Sequence, residues 1–171
     1  MGWAMWLGVV VTAWGVLLVF RAWQARARLL SSLTRAEFLE KMKEAEESNP
    51  FFRHSAQELA ALIRTGEATS ECIVESHIKH ILKVNVYLNA MVQNRFRLAL
   101  EEARAADALV QQFLAEGRCL DTLPVLHGVP FTVKECFALT GMPNASGLAS
   151  RREIVSPSDA TVVRRLRGES Y

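Results

Sequence analysis

The chain has 171 residues, enough for one modest domain, and half of it is hydrophobic, which excludes a disordered tail. Its formal net charge of +2 gives no reason to expect nucleic acid as a partner. The cysteines Cys72, Cys119 and Cys136 lack a Cys-x-x-Cys spacing, and His54, His77, His80 and His127 form no ligand pattern, so no disulfide framework, metal or cofactor is expected.

Residues 1–20 contain no charged residue and no histidine, and the run from Trp3 to Phe20 is rich in Val, Leu and Trp. A spanning helix needs about 20 apolar residues. Trp3, Trp6 and Trp23 fit interfacial aromatic belts, and Arg21, Arg26, Arg28 and Arg35 follow with no acid before Glu37. A cleavable signal peptide would carry its positive region before the apolar run. Here the charges come after it, so residues 1–23 are predicted to be an uncleaved transmembrane anchor with the lipid bilayer as partner. The positive-inside rule then places the rest of a single-pass protein in the cytoplasm; the membrane is expected to be the endoplasmic reticulum or another intracellular one, with the organelle left open. Asn144-Ala145-Ser146 is a formal glycosylation sequon, and a glycan there would instead show a luminal domain.

Residues 24–54 read as a juxtamembrane helical segment. Thr34-Arg35-Ala36-Glu37 has capping-box form and opens a charged helix to about Ser48, which Asn49-Pro50 should end. Ser55-Ala56-Gln57-Glu58 is a second capping box, opening a short helix that stops near Gly66. Thr69 is suited to cap the next helix, where Ile73, Val74, His77, Ile78, Ile81 and Leu82 recur at helical spacing and predict one buried stripe. Tyr87–Val92 is predicted as a short strand. A longer helix follows from about Arg95 to Glu116, with Phe96, Leu100, Ala103, Val110, Phe113 and Leu114 on one side and Gly117 as terminator.

The texture changes from Pro124. Residues 124–135 read as turn and then strand, Gly141-Met142-Pro143-Asn144 and Ser146-Gly147 as a loop, and Ser158-Asp159-Ala160 as the start of a helix carrying Val162, Val163 and Leu166. Helices followed by strand, loop and helix predict an α/β domain.

Gly128-Val129-Pro130-Phe131-Thr132-Val133-Lys134-Glu135-Cys136-Phe137 resembles the lysine segment of the amidase-signature family. Gly141–Leu148 resembles the loop after it in that family's fatty-acid amide hydrolase branch, and Ser158–Val163 with Arg165 and Leu166 resembles the next helix. Upstream, Glu58-Leu59, Val84-Asn85, Asn89-Ala90, Ala103 and Asp107 also agree, so the resemblance covers roughly residues 55–167. It implies a partial amidase-signature fold, with helices around a truncated mixed sheet, in which residues 55–171 form the incomplete N-terminal part of the amidase domain.

The resemblance further implies a Ser–cis-Ser–Lys triad with Lys134 as its lysine. A serine hydroxyl is a poor nucleophile until a base takes its proton. A lysine amine, with an ordinary pKa of about 10.4, is such a base only when neutral, and burial among apolar groups favours that form. Val129, Phe131, Val133 and Phe137 suit such a recess. An isolated lysine after a strand is ordinarily a solvated charge; the flanking motif sets Lys134 apart. Ser146 is a weaker candidate for touching substrate, with loop hydrogen bonding as its ordinary use. Cys136 reads as a buried small hydrophobe and His127 as a turn residue. Glu135 receives no chemical role.

Both family serines lie in a Gly-Gly-Ser-Ser-Gly-Gly type of segment, whose amides also help form an oxyanion hole. Residues 1–171 contain no such segment. The leading expectation is a complete membrane-bound protein that hydrolyses fatty-acid amides through an acyl-serine, with this chain inactive alone. The alternative is a membrane-tethered fragment or binding module. A third reading, an amidase acting on glutamine, is disfavoured by the anchor. Homo-oligomerisation is left open.

Overall fold

Polar side chains that satisfy free amide groups set where the first helices begin. Helix α1 spans Arg35–Glu47 and α2 spans Ala56–Thr65, each opened by the capping box its sequence predicts. The return bonds are short: Thr34 N donates to Glu37 Oε2 at 2.7 Å, and Ser55 N to Glu58 Oε2 at 2.6 Å. These bonds to the cap backbone, then to the cap hydroxyl, hold both glutamates below the usual carboxylate range. Helix α3 runs Ser70–Leu88, α4 Phe96–Ala115 and α5 Thr161–Leu166, with single 3-10 turns at Leu120–Thr122 and Ala149–Arg151. Residues 24–32 are also helical. The structure is a computed structural model describing residues 21, 22 and 24–168.

The chain divides into two units: residues up to Asn49 with Lys79–Gln93, and Pro50–Ile78 with the residues from Asn94 onward. In the first, Arg26 donates to the carbonyls of Val86 and Tyr87, and Phe38 meets Tyr87 edge to face at 6.3 Å. The second carries the candidate site. Its core joins Leu59 and Ile63 of α2, Ile73 of α3, Val110 and Phe113 of α4, and Leu123. Thr69 caps α3 as its sequence predicts, its hydroxyl accepting Cys72 N at 3.1 Å. At the end of α4, Gly117 takes φ 64° and Arg118 N donates back to Phe113 O at 2.8 Å, which closes the last turn.

The α/β expectation is corrected by this architecture. Among the described residues there is no strand and hence no mixed sheet; the regular elements are helices. Residues 129–134 are not helical, but their neighbourhood makes turns instead of a ladder: Val129 N donates to Leu126 O and Phe137 N to Lys134 O. A strand persists only where a neighbour pairs with its backbone. The nearest approach to a sheet is one antiparallel bridge between Pro143 and Val155.

The expected strand at Tyr87–Val92 is also absent. Helix α3 continues to Leu88, and Asn89 then turns the chain at φ 53°. The Asn85 amide takes both backbone groups of Met91, accepting its N–H at 2.8 Å and donating to its carbonyl at 3.0 Å. Those are the groups a strand would have offered to a neighbour.

The transmembrane helix expected at 1–23 lies outside the described residues except for Arg21 and Ala22. Among the described residues no helix is long and apolar enough to cross a membrane.

Candidate active site

The segment leading to Lys134 is pinned at its first residue. Ser70 is fully buried, and its hydroxyl donates to Gly128 O at 2.6 Å. The carboxylate of Asp107, on α4, accepts the N–H groups of Ser70 at 2.7 Å and Glu71 at 3.0 Å. A negative charge from α4 thus caps the N-terminus of α3. Gly128 sits at φ 74°, and a Cβ there would lie 3.1 Å from both Ile63 and Ser70, so the backbone passes where a side chain would crowd it. His127 adds a bond between its Nε2 and Ala106 O at 3.0 Å.

Six residues on, Lys134 is exposed, and its side chain has no hydrogen-bond or ion-pair partner among the described residues. Phe131 and Phe137 are also exposed, so the apolar recess expected around the amine is not formed by them. Glu135 is half-buried and turns to the following loop. Its Oε1 accepts the backbone N–H groups of Ala145 and of Ser146, the latter at 3.1 Å. Ser146 and Gly147 have φ 51° and 75°, and Leu148 N donates to Ala145 O at 3.0 Å, the sign pattern of a type I′ turn. A serine at positive φ is uncommon, and here two donors to one carboxylate oxygen hold it there.

The loop is fastened again further along. Gly141 N donates to Ser156 O, Ser156 N to Met142 O, and Asn144 N to Ile154 O. Asp159 does not cap α5; it accepts Thr140 N and Thr140 Oγ1, both at 2.6 Å. Arg167 bridges Asp159 and Glu102 at 3.3 Å each, and Arg95 holds Glu102 with two bonds of 2.9 Å. Burial works to raise the pKa of Asp159, but the Thr140 bonds and the charges of Arg167 and Arg95 hold it below the usual range. Glu102 is lowered likewise, by Arg95 and Arg167 against the effect of burial.

The two site residues expected from sequence are therefore joined indirectly: Lys134 is followed by Glu135, and Glu135 holds the N–H of Ser146. The Ser146 side chain is exposed. Cys136, expected to be buried, is exposed. His77 and His80 each engage a helix carbonyl, of Ile73 and Ala45 respectively. Sequence reasoning missed Glu135 and Asp107 as organisers, because their partners lie 10 or more residues away and a carboxylate alone does not announce them.

Comparison with known proteins follows this segment closely. Residues 72–171 match the family Amidase. Fatty-acid amide hydrolase 2-A of Danio rerio is 47% identical over 121 residues, 70% of this chain and 23% of the relative. Fatty-acid amide hydrolase 2 of Homo sapiens is 39% identical over 121 residues, 71% of this chain and 23% of the relative. Indoleacetamide hydrolase of Bradyrhizobium diazoefficiens is 39% identical over 118 residues, 69% and 21%. The chain thus spans less than a quarter of the length of these relatives. The family match runs over more than half of the chain and contains both Lys134 and the loop clasped by Glu135, and the chain belongs to the amidase family.

Proposed function

We propose that this sequence is the lysine-bearing part of an amidase that hydrolyses fatty-acid amides, with Lys134 as the proton acceptor. The observation that carries this reading is the family match over 72–171, together with the similarity to fatty-acid amide hydrolase 2 over 121 residues. The geometry supports its placement: the segment is pinned at Gly128 and steadied at Glu135, on either side of Lys134. In the complete protein that amine would take the proton of a serine hydroxyl as the serine oxygen attacks the amide carbonyl. The amine leaving group would depart with a proton, and water would then release the fatty acid from the acyl-serine. Covering Lys134 would fall to parts of the polypeptide beyond those seen around it here.

Because residues 1–171 hold no Gly/Ser-rich segment, the chain alone is expected not to turn over amides. The test compares a full-length protein carrying this sequence with the 171-residue chain. Each is incubated with a long-chain fatty-acid amide and, separately, with a fluorophosphonate probe. The full-length protein should release fatty acid and label at one serine, and the chain alone should do neither. A full-length protein that labels but leaves fatty-acid amides intact would overturn the substrate class. Serine labelling of the short chain would overturn its inactivity.

A further inference from the structure

Glu135 is the neighbour in sequence of the proposed base, yet its carboxylate faces the backbone of the loop. One of its oxygens accepts two N–H groups, those of Ala145 and Ser146. Those two bonds tie the turn at Ser146-Gly147 to the residue that directly follows Lys134. The turn has its own reason to need holding, since Ser146 stands at φ 51°. The residue before it is tied by Asn144 N to Ile154 O at 3.0 Å, and among the described residues Glu135 links this turn to the lysine segment.

We infer that Glu135 is a positioning residue that fixes the Ala145–Leu148 turn as a wall of the substrate site beside Lys134, acting as a hydrogen-bond acceptor and not as an acid or base. This rests on the reading of Lys134 given above. The acceptor role needs an oxygen at the Oε1 position, not a charge, and that distinction makes the inference testable. Glu135→Gln keeps an acceptor oxygen of the same reach, whereas Glu135→Ala removes it.

Two measurements test it. In the 171-residue chain, amide hydrogen exchange at Ala145 and Ser146 should quicken about tenfold in Glu135→Ala, the scale of a lost hydrogen bond. Glu135→Gln should stay near the parent, and amides of the helix Phe96–Ala115 should be unchanged. In the full-length enzyme, Glu135→Ala should raise KM about tenfold with a smaller change in kcat, and Glu135→Gln should retain most of the parent kcat/KM. Unchanged exchange at both amides in Glu135→Ala would overturn the inference. So would a Glu135→Gln enzyme as impaired as Glu135→Ala, which would point to proton transfer, or an unchanged KM in Glu135→Ala. Lys134→Ala is assayed in parallel. If it remained active the base assignment would fail, while the exchange and Gln-rescue results would still decide the role of Glu135.

Discussion

The hydroxyl of Ser70 donates to the carbonyl of Gly128 at 2.6 Å, and this bond joins the start of α3 to the start of the lysine segment. The Asp107 carboxylate stands behind it, accepting the N–H groups of Ser70 and Glu71. The position of Lys134 thus depends on a buried polar node built by residues far from it in sequence.

Breaking that node should be costly. Ser70→Ala and Asp107→Ala are each expected to destabilise the chain by ~1–3 kcal/mol, because each leaves part-buried backbone groups without partners. Gly128→Ala should fall in the same range, since alanine is strained at φ 74° and its Cβ would crowd Ile63 and Ser70. Urea denaturation followed by far-ultraviolet circular dichroism measures all three.

Core and surface apolar residues should separate clearly. Ile73 is fully buried in the cluster with Leu59, Ile63 and Phe113, so Ile73→Ala is expected to cost ~2–5 kcal/mol. Leu82, on the same helix, is 63% exposed, and Leu82→Ala should change stability by less than ~0.5 kcal/mol. The same denaturation experiment reads the contrast.

Acid should loosen the fastening around Thr140. Asp159 and Glu102 both sit below their ordinary values of 3.8 and 4.5. A carboxyl with a lowered folded pKa contributes stability that is present above its unfolded pKa and lost as pH falls through the folded one. Their contribution should be constant from neutrality to about pH 4.5 and decline below that. Glu37 and Glu58, lowered by their capping boxes, decline in the same direction. Asp159→Asn should flatten part of the acid limb in a series of urea midpoints against pH, and an unchanged limb would speak against Asp159 as a contributor.

The helix caps should matter locally. Ser55→Ala is expected to cost ~1 kcal/mol, the usual worth of a serine N-cap. Amide exchange at Glu58, whose N–H the hydroxyl accepts at 3.3 Å, should quicken with it.

What was legible in the sequence was chiefly local. Thr34 with Glu37 and Ser55 with Glu58 mark their helices because a capping box closes within four residues. Gly117 and the apolar spacing of Val110 and Phe113 likewise locate the end and inner face of α4. The strand at Tyr87–Val92 was misread because Asn85, on the preceding helix, reaches forward to both backbone groups of Met91, which hydrophobicity does not reveal. The sheet was misread because an apolar run such as Val129–Val133 has strand composition whether or not a partner lies beside it. Lys134 was singled out through its motif alone. Glu135 was not, since its role appears only when the chain folds back at Ala145.

The most direct measurement of the central claim is the steady-state rate of fatty-acid amide hydrolysis by Lys134→Ala in the full-length protein, with circular dichroism confirming that it folds. Removal of the base should lower kcat by ~1,000-fold or more. A folded Lys134→Ala enzyme turning over at close to the parent rate would contradict the account.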